Sequence, residues 1–497
     1  MPPTANEHEA GSESEVFSVA LPTADKSNAS KGELKKTITF TDGLACVLGS
    51  LIGAGMFVSP GMMFERLGAF GSVIAWVAGG ALALSGALCY SELATLLVSA
   101  GSESTYLAKA FGNVWAFAYA LMLFVVVGSG GVAAVASASA IYFVEGIGYD
   151  AGTNERLVQC VAIGLVLFCA CMNLLGTSNA VLVQRILLVV KVLTIMMVLG
   201  CAGIYRAALQ TIPRSDVFTV DFFGGFQLQK LVDGMFKVVF AFNGFQYLAP
   251  LSEEMVNPDR DVPRVFLAGM TSVTALGLFV IISFVSVLPL DKMSAERLAS
   301  NFFHQIGGVP LKCVASVMIA FCAAGSANFK LIGCSRIFFS AARDGIFPKQ
   351  FAYVSERNVP TVSIIATSVW TICILMVVSK LNDVLKYFLI GQLLVFAAVG
   401  LALIRLRSTM PFAHRPYRVS LYPSTPVVFS GSCIFMVVYA LFDPSTAKIS
   451  WCSLLLTFMG FPVWYLVKHS STIVSVTSKV STNIASSMSN VLNRSGR

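Results

Sequence analysis

Charged residues are scarce in this sequence, at 12% of its 497 residues, whereas a typical soluble domain carries about 25%. Hydrophobic residues make up 56% of the chain. Apolar segments of roughly 20 residues, the length that crosses a bilayer, recur between residues 39 and 468. This balance excludes an ordinary soluble protein and indicates an all-α polytopic membrane protein, because lipid offers the backbone no other hydrogen-bond partners.

The residue types that build catalytic and metal sites are also few. The four histidines are scattered, and most of the twelve cysteines fall inside apolar segments, where they are typical of small buried side chains. No GxxxxGK[ST] phosphate-binding loop occurs, which argues against direct pumping by ATP. Because no nucleophile and base converge either, we expect no enzyme, no metal and no cofactor.

The net charge of +8 comes from basic residues that lie largely in short loops and tails. Their concentration after the sixth, eighth and tenth apolar segments predicts the cytosolic side of a membrane, not binding of nucleic acid. Residues 1–38 are polar and lack the apolar region of a signal peptide, so we expect a cytosolic amino-terminal tail. Residues 469–497 are predicted to form a second cytosolic tail.

About twelve membrane spans are predicted, in three groups. Spans 1–5 occupy residues 39–205, spans 6–10 occupy 229–405, and spans 11–12 occupy 427–468. Because five is odd, a second group of five that repeats the first is inverted in the membrane. The segment "GAG" at 53–55 interrupts span 1, and "FAFNGF" at 240–245 interrupts span 6. Breaks at matching positions of two repeats predict a substrate site near the midplane.

The two breaks supply complementary backbone groups. The half-helix that begins near Gly55 presents N–H groups and the positive end of its dipole, which suit a carboxylate. Free carbonyls before the breaks suit an ammonium group. Together they fit the zwitterionic end of an α-amino acid. Close packing of small residues is the alternative explanation for Gly49 and Gly53 taken alone.

A few polar or aromatic residues inside the spans are candidates for function. Lys191 lies near the middle of span 5, roughly 15 Å along the helix from either end, and we expect it to brace the unwound part of span 1 in the place of a sodium ion. Phe240 precedes the break in span 6 and is expected to lie over a bound ligand. Glu92 is expected to brace a gate, and the sequence assigns no partner to Lys330.

Four segments resemble the amino acid–polyamine–organocation superfamily. They are "GSLIGAGMFVSP" at 49–60, "GALCYSELATLL" at 86–97, "LSEEMVNPDRDVP" at 251–263 and "RPYRV" at 415–419. Within it, the chain is similar to the L-type amino acid transporters, the light subunits of heteromeric amino acid transporters. The resemblance implies a LeuT-type fold, with a 5+5 inverted repeat and two further helices. It also implies sodium-independent exchange of neutral, possibly large or aromatic, L-amino acids at the plasma membrane.

The resemblance further implies which residues contact the substrate. The N–H groups of Ala54 and Gly55 receive the carboxylate, carbonyls near both breaks receive the amine, and Phe240 acts as the gate. Lys191 replaces the sodium site. The implied substrate-binding set is Leu51, Gly53, Ala54, Gly55, Gly131, Phe240, Ala241, Asn243, Phe245, Asn328 and Gln392, with Gly130 and Tyr247 nearby.

Departures from the family pattern leave the specificity open. Ala54 stands where the family has serine, and Asn243 where a glycine is common. The segment "GSGG" at 128–131 replaces an Arg-Pro-Ser-Ser stretch and enlarges the pocket. The loop "EGIGYDAGTNERLVQ" at 145–159 lacks the cysteine that links light subunits to a heavy chain. We therefore expect no disulfide-linked partner, while a non-covalent partner stays open.

Other functions of the same fold also stay open. They are proton-coupled or facilitative uptake of amino acids or polyamines, exchange of cationic amino acids, and a sensor that binds amino acid without transporting it. The lack of an acidic residue at the midplane argues weakly against a dedicated cationic substrate.

Overall fold

The computed structural model describes residues 36–209, 228–288, 298–355, 357–377, 381–444 and 447–469. Within these ranges helices form the fold, and the β-type pairing is one isolated parallel bridge between Ile38 and Met255. Helices predominate because a helix pairs its own backbone N–H and C=O groups, and the hydrocarbon of a bilayer offers these groups no hydrogen-bond partners. Apart from residues 36–38 and His469, the two predicted tails lie outside the described residues.

Ten of the described helices are long and apolar enough to cross a membrane. Two segments bring the number to the predicted twelve: the interrupted span 6 and the shorter apolar helix Thr361–Val377. The predicted polytopic helical fold is thus confirmed, while the bounds of its repeats stay predictions. In chain order the spans are Phe40–Phe64, Leu67–Leu96, Asn113–Gly146, Glu155–Leu174, Thr177–Ala208, Leu228–Ala241 with Phe245–Glu254, Pro258–Val287, Leu298–Arg343, Thr361–Val377, Phe388–Thr409, Ser424–Phe442 and Ala447–Leu466.

The helix Leu298–Arg343 is longer than one membrane crossing. Its 46 residues extend about 69 Å, more than twice the roughly 30 Å of a hydrocarbon core. Gly307 and Gly308 have non-helical backbone angles, with φ of −133° and 64°, and divide it. The segment after this kink corresponds to the predicted span 8.

Span 1 consists of two half-helices. The first, Phe40–Leu51, begins with a capping box in which Thr39 and Asp42 exchange side-chain hydrogen bonds with each other's backbone N–H groups. It ends at Ile52, whose ψ of 73° is not helical. The second half-helix begins at Ala54, with Gly53 in an extended conformation as its N-cap. The predicted break in span 1 is therefore present.

Span 6 is interrupted at the corresponding place. Its α-helix ends at Ala241, and the N–H of Asn243 donates to the carbonyl of Phe240 at 3.2 Å, closing a final turn. Gly244 then adopts a φ of 139°, a backbone conformation that residues other than glycine rarely adopt. The chain continues as the 3-10 helix Phe245–Glu254. The predicted break in span 6 is also present.

Span 5 has two distinct faces. Ile186, Val189 and Met196 leave 57–61% of their surface exposed, on the side that lipid would cover. Gln184 and Lys191 are fully buried on the opposite face. A charged residue that faces the bundle interior is the usual arrangement for an intramembrane cation.

Ion pairs connect different spans at the end of the bundle where span 1 begins. Nε of Arg407 in span 10 donates to Glu92 of span 2 at 2.8 Å, and the N–H of Val419 donates to the same carboxylate at 2.7 Å. The gate-bracing role expected of Glu92 stays a prediction, and this bridge between two spans supports it. The pairs at this end include Asp42–Arg185, Glu92–Arg407, Glu92–Arg415, Glu253–Arg343 and Glu254–Arg336.

Candidate functional site

The two breaks lie against each other inside the bundle. A Cβ atom on Gly55 would lie 2.8 Å from Cα of Ala241, and one on Gly244 would overlap the hydroxyl of Ser50. Glycine at these positions is what allows the unwound segments to approach so closely. Leu51 is buried, and so is Ala241, so the freed backbone groups are shielded from solvent.

The second half of span 1 presents backbone donors at the break. The first N–H groups of an α-helix have no acceptor within the helix, and the N-cap residue Gly53 supplies no side-chain acceptor. The N–H of Met56 bonds to the carbonyl of Gly53 at 3.2 Å. The N–H groups of Ala54 and Gly55 precede it at the positive end of the half-helix dipole, a favourable place for an anion.

Carbonyl oxygens lie on the other side of the breaks. The carbonyl of Leu51 accepts one hydrogen bond, from the N–H of Gly53 at 2.9 Å, and the carbonyl of Phe240 accepts one from Asn243. Since each carbonyl oxygen has two lone pairs, both can accept a further donor. An ammonium group placed between the unwound segments would find such acceptors.

Lys191 contacts span 1 directly before its break. Its ammonium donates to the carbonyl of Gly49 and lies 3.3 Å from the hydroxyl of Ser326 in span 8. Ser326 itself donates to the carbonyl of Ser50 at 2.7 Å. Spans 5 and 8 thereby hold the last turn of the first half-helix, in the geometry expected of a bracing lysine.

A second buried cation, Lys330 of span 8, lies beside the break in span 6. Its ammonium donates to Oδ1 of Asn243 and lies 5.6 Å from the ring centre of Tyr247 and 5.8 Å from that of Phe388. A Cβ on Gly131 of span 3 would lie 3.7 Å from the same nitrogen. The sequence assigned no partner to Lys330, and the structure brings it together with two predicted site residues.

A pair of glutamines supports the loop at the break in span 6. The N–H of Gly244 donates to Oε1 of Gln246 at 2.9 Å, and Nε2 of Gln246 donates to Oε1 of Gln392 in span 10 at 3.2 Å. Gln392 therefore contacts the loop at the break through Gln246. Gln246 is not among the residues predicted from the sequence. Its position three residues after Asn243 was the available signal.

Two predicted residues have their contacts elsewhere. Asn328 donates to the carbonyl of Ala180 at 3.3 Å and accepts from Nδ2 of Asn173 at 2.8 Å. Its side chain joins span 8 to spans 4 and 5 instead of lining the breaks. Phe245 stacks on Phe396 of span 10, with ring centres 5.4 Å apart, and so belongs to an aromatic cluster beside the site.

Phe240 lies next to the break, as expected. It is 7% exposed, and its ring packs edge-on against Phe388 of span 10 at 6.4 Å between centres. Phe388 also faces the ammonium of Lys330. Phe388 thus contacts both the ring of Phe240 and the ammonium of Lys330.

Comparison with known proteins places the chain in a family. The family model described as "Amino acid permease" matches residues 38–464. The human cystine/glutamate transporter is 26% identical over 444 residues, which cover 88% of this chain and 86% of that protein. The human b(0,+)-type amino acid transporter 1 is 26% identical over 443 residues, or 88% of each chain. The large neutral amino acids transporter small subunit 2 of Oryctolagus cuniculus is 24% identical over 471 residues, or 93% of this chain and 85% of that one.

The fold, the paired breaks and these similarities agree with the resemblance drawn from the sequence. An amino acid permease moves its substrate across a membrane and performs no covalent chemistry. The chain therefore belongs to the amino acid permease family and is a multi-pass membrane transporter of amino acids, not an enzyme.

Proposed function

We propose that this protein exchanges amino acids across the membrane without sodium, by alternating access. The observation that carries the proposal is the apposition of two broken helices, one of them held by the ammonium of Lys191 on the carbonyl of Gly49. Discontinuous helices at matching positions of two repeats form the substrate sites of many transporters.

The zwitterionic end of the substrate fits the backbone of the breaks. The α-carboxylate is held by the N–H groups of Ala54 and Gly55, and the α-ammonium by carbonyls that include those of Leu51 and Phe240. Backbone groups of this kind recognise what all α-amino acids share. Selectivity among amino acids then depends on the residues around the side chain.

The position of Lys191 supports the proposed sodium independence. Its fully buried ammonium supplies a positive charge beside the unwound turn of span 1. A sodium ion at the same place would meet strong repulsion at a distance of a few ångströms. A cation that belongs to the chain therefore stabilises the break, and no cation from solution is needed.

The gate is formed by Phe240 and its neighbours. Its ring, packed against Phe388, closes over the ligand from span 6, and movement of the two broken helices with their neighbours exposes the site to alternate sides. Opening toward the end where span 1 begins requires separation of the ion pairs there, including Glu92–Arg407.

The substrate side chain is the least constrained part of the proposal. The sequence predicts neutral, possibly large or aromatic, amino acids, and Phe240 and Tyr247 supply aromatic surface. Relatives are named for cystine and glutamate as well as for large neutral amino acids. The ammonium of Lys330, beside the break in span 6, bears directly on this choice.

The chain is proposed to work at the plasma membrane without a disulfide-linked partner, with both termini cytosolic. The arginines near the Glu92–Arg407 end support that orientation. The loop between spans 3 and 4, residues 147–154, contains no cysteine, and Cys160 lies within span 4. A non-covalent partner is compatible with these observations.

The test is exchange by the purified full-length chain in proteoliposomes. Uptake of a panel of labelled amino acids is measured with and without unlabelled amino acid inside, with sodium or potassium outside, and at equal or unequal pH. We expect uptake that requires internal amino acid and is unaffected by sodium or by the pH gradient.

Other results identify the alternatives. Uptake driven by an acidic exterior would indicate proton coupling, and uptake into empty vesicles would indicate facilitated diffusion. Binding without uptake would identify a sensor. Activity of the chain alone would show that no heavy chain is needed. A reductant-sensitive shift in the mobility of this chain, on non-reducing gels of native membranes, would contradict the absence of a disulfide-linked partner.

A further inference from the structure

We propose that the site takes amino acids with a negatively charged side chain and that Lys330 is the counter-charge. This inference rests on the proposed transport of amino acids and defines the substrate class of the same site. The ammonium of Lys330 lies beside the break in span 6, on a side chain that is 2% exposed.

The partners of this buried cation are all neutral. Its ammonium donates to the amide oxygen of Asn243 and faces the rings of Tyr247 and Phe388. Among the described residues, no carboxylate pairs with it. An ammonium has three donor hydrogens, so the bond to Asn243 leaves two of them for a ligand. A buried charge without an opposite charge is costly, and an anionic ligand removes that cost.

Asn243 supplies a second donor at the same point. Its Oδ1 accepts from Lys330, while its buried Nδ2 has no hydrogen-bond partner in the structure. A buried donor without a partner destabilises the site, and a ligand that accepts from it removes that cost. One carboxylate placed here accepts from both nitrogens at once. The convergence of an ammonium and a free amide N–H therefore selects for an anion.

The space for such a side chain lies along span 3. A Cβ on Gly131 would meet only the nitrogen of Lys330 within 4 Å, at 3.7 Å, and a Cβ on Gly130 would meet only Cβ of Phe388, at 3.8 Å. Both distances are ordinary van der Waals contacts, so span 3 presents only backbone on this side and a methyl group would displace no neighbour. The substrate side chain is proposed to extend from the breaks along this face of span 3, toward the ammonium that already contacts Asn243 at the break in span 6.

Lys191 differs from Lys330 in this respect. Its ammonium bonds to a backbone carbonyl of span 1 and to Ser326, so its contacts hold the protein together. Lys330 contacts Asn243, a side chain with spare hydrogen-bonding capacity, opposite the glycines of span 3. The two buried lysines thus have separate functions, one in bracing span 1 and one in reading the substrate side chain.

The inference makes a specific prediction about selectivity. Glutamate and aspartate bind more tightly than glutamine and asparagine, which have nearly the same shape but no charge. Arginine and lysine are rejected, because a like charge beside Lys330 is repelled. Loss of one partner of a buried charge pair typically lowers affinity by about a hundredfold or more.

The experiment measures the ratio of glutamate to glutamine uptake by the full-length chain in proteoliposomes loaded with a mixture of amino acids. Wild type is compared with Lys330→Met, which removes the charge, Lys330→Arg, which keeps it, and Lys312→Met as a control in the same helix. We expect a ratio of about ten or more for wild type, Lys330→Arg and the control, and a ratio near one or below for Lys330→Met.

Binding keeps the test decisive if a variant does not transport. Thermal stabilisation of the purified protein by glutamate and by glutamine is measured for the same four proteins, and stabilisation by glutamate that Lys330→Met abolishes supports the inference. A wild type that prefers glutamine or leucine, with a ratio that Lys330→Met leaves unchanged, overturns the inference but not the exchange. Failure of every amino acid to exchange overturns the proposed function, while the binding assay still decides the role of Lys330.

Discussion

Replacement of Gly55 by alanine tests the close approach of the two broken helices. The new Cβ would lie 2.8 Å from Cα of Ala241, well inside the optimal separation of about 3.5–4.0 Å between carbon atoms. Because the neighbouring atom is backbone, no side-chain rotation relieves the overlap. Spans 1 and 6 must separate by roughly 1 Å at the level where the proposed substrate is held.

The expected magnitude follows from this overlap. Overpacking of a well-packed interior costs about 1–3 kcal/mol, and every 1.4 kcal/mol is about a tenfold change in an equilibrium. The population of the conformation in which both breaks are in contact then falls about five- to 150-fold. A 1 Å displacement of the N–H groups from the carboxylate lowers substrate affinity further.

The matched control is Gly164→Ala in span 4. A Cβ at Gly164 would have no atom within 4 Å, and alanine is favoured over glycine in a helix by about 1 kcal/mol. Both variants add one methyl group to a membrane helix, so a difference between them reports the local geometry.

The assay is exchange of labelled amino acid, normalised to the amount of protein incorporated into the vesicles. Gly55→Ala is expected to exchange at about a tenth of the wild-type rate or less, and Gly164→Ala at the wild-type rate. Equal activity of Gly55→Ala and wild type would show that the breaks need not touch, and would refute the proposed placement of the carboxylate site.

Three further outcomes are expected. Phe240→Ala abolishes uptake although normal amounts of the protein reach the membrane. The control Phe279→Ala, which removes a ring that is 56% exposed, leaves uptake intact. Normal uptake by Phe240→Ala would show that Phe240 is not the gate. Lys191→Met lowers exchange at least tenfold, since a hydrogen bond to a charged group contributes about 1.5–3 kcal/mol. The control Lys448→Met, at an exposed position, leaves exchange unchanged. Unimpaired exchange by Lys191→Met would contradict the bracing role. Burial raises the pKa of the Glu103 carboxyl above its usual value, so its deprotonation costs stability as pH rises. Glu103→Gln should flatten the fall in melting temperature as the pH rises above the usual pKa of a glutamate carboxyl. An unchanged slope would count against this assignment.

The breaks in spans 1 and 6 could be predicted because local sequence determines them. Gly53 and Gly244 stand where the backbone leaves helical geometry, and glycine marks such places in an otherwise apolar run. The direction of Lys191 could also be predicted. A lysine near the middle of a membrane span is too far from either end to reach water, so it is expected to face the interior of the bundle, and Lys191 is fully buried there.

The position of Lys330 could not be obtained in the same way. Residues 322–342 of span 8 are all buried, so the sequence shows no polar and apolar faces from which the rotation of the helix can be read. Asn328, two residues away, points toward spans 4 and 5, which the sequence does not show either. In a fully buried span, packing against the neighbouring helices decides which side chains face the breaks. Gln246 was missed because its bond to Gln392 joins residues that are distant in the sequence.

The attachment of a cation to span 5 has a thermodynamic consequence. The ammonium of Lys191, fixed by its side chain at the carbonyl of Gly49, never leaves the membrane with the substrate, so no ion gradient does work through it. An exchanger of the proposed kind equalises concentration ratios, because one amino acid can be concentrated only as far as the outward gradient of another allows. The cell that makes this protein would then have to set its internal amino acid pool by other means, and this chain would redistribute that pool.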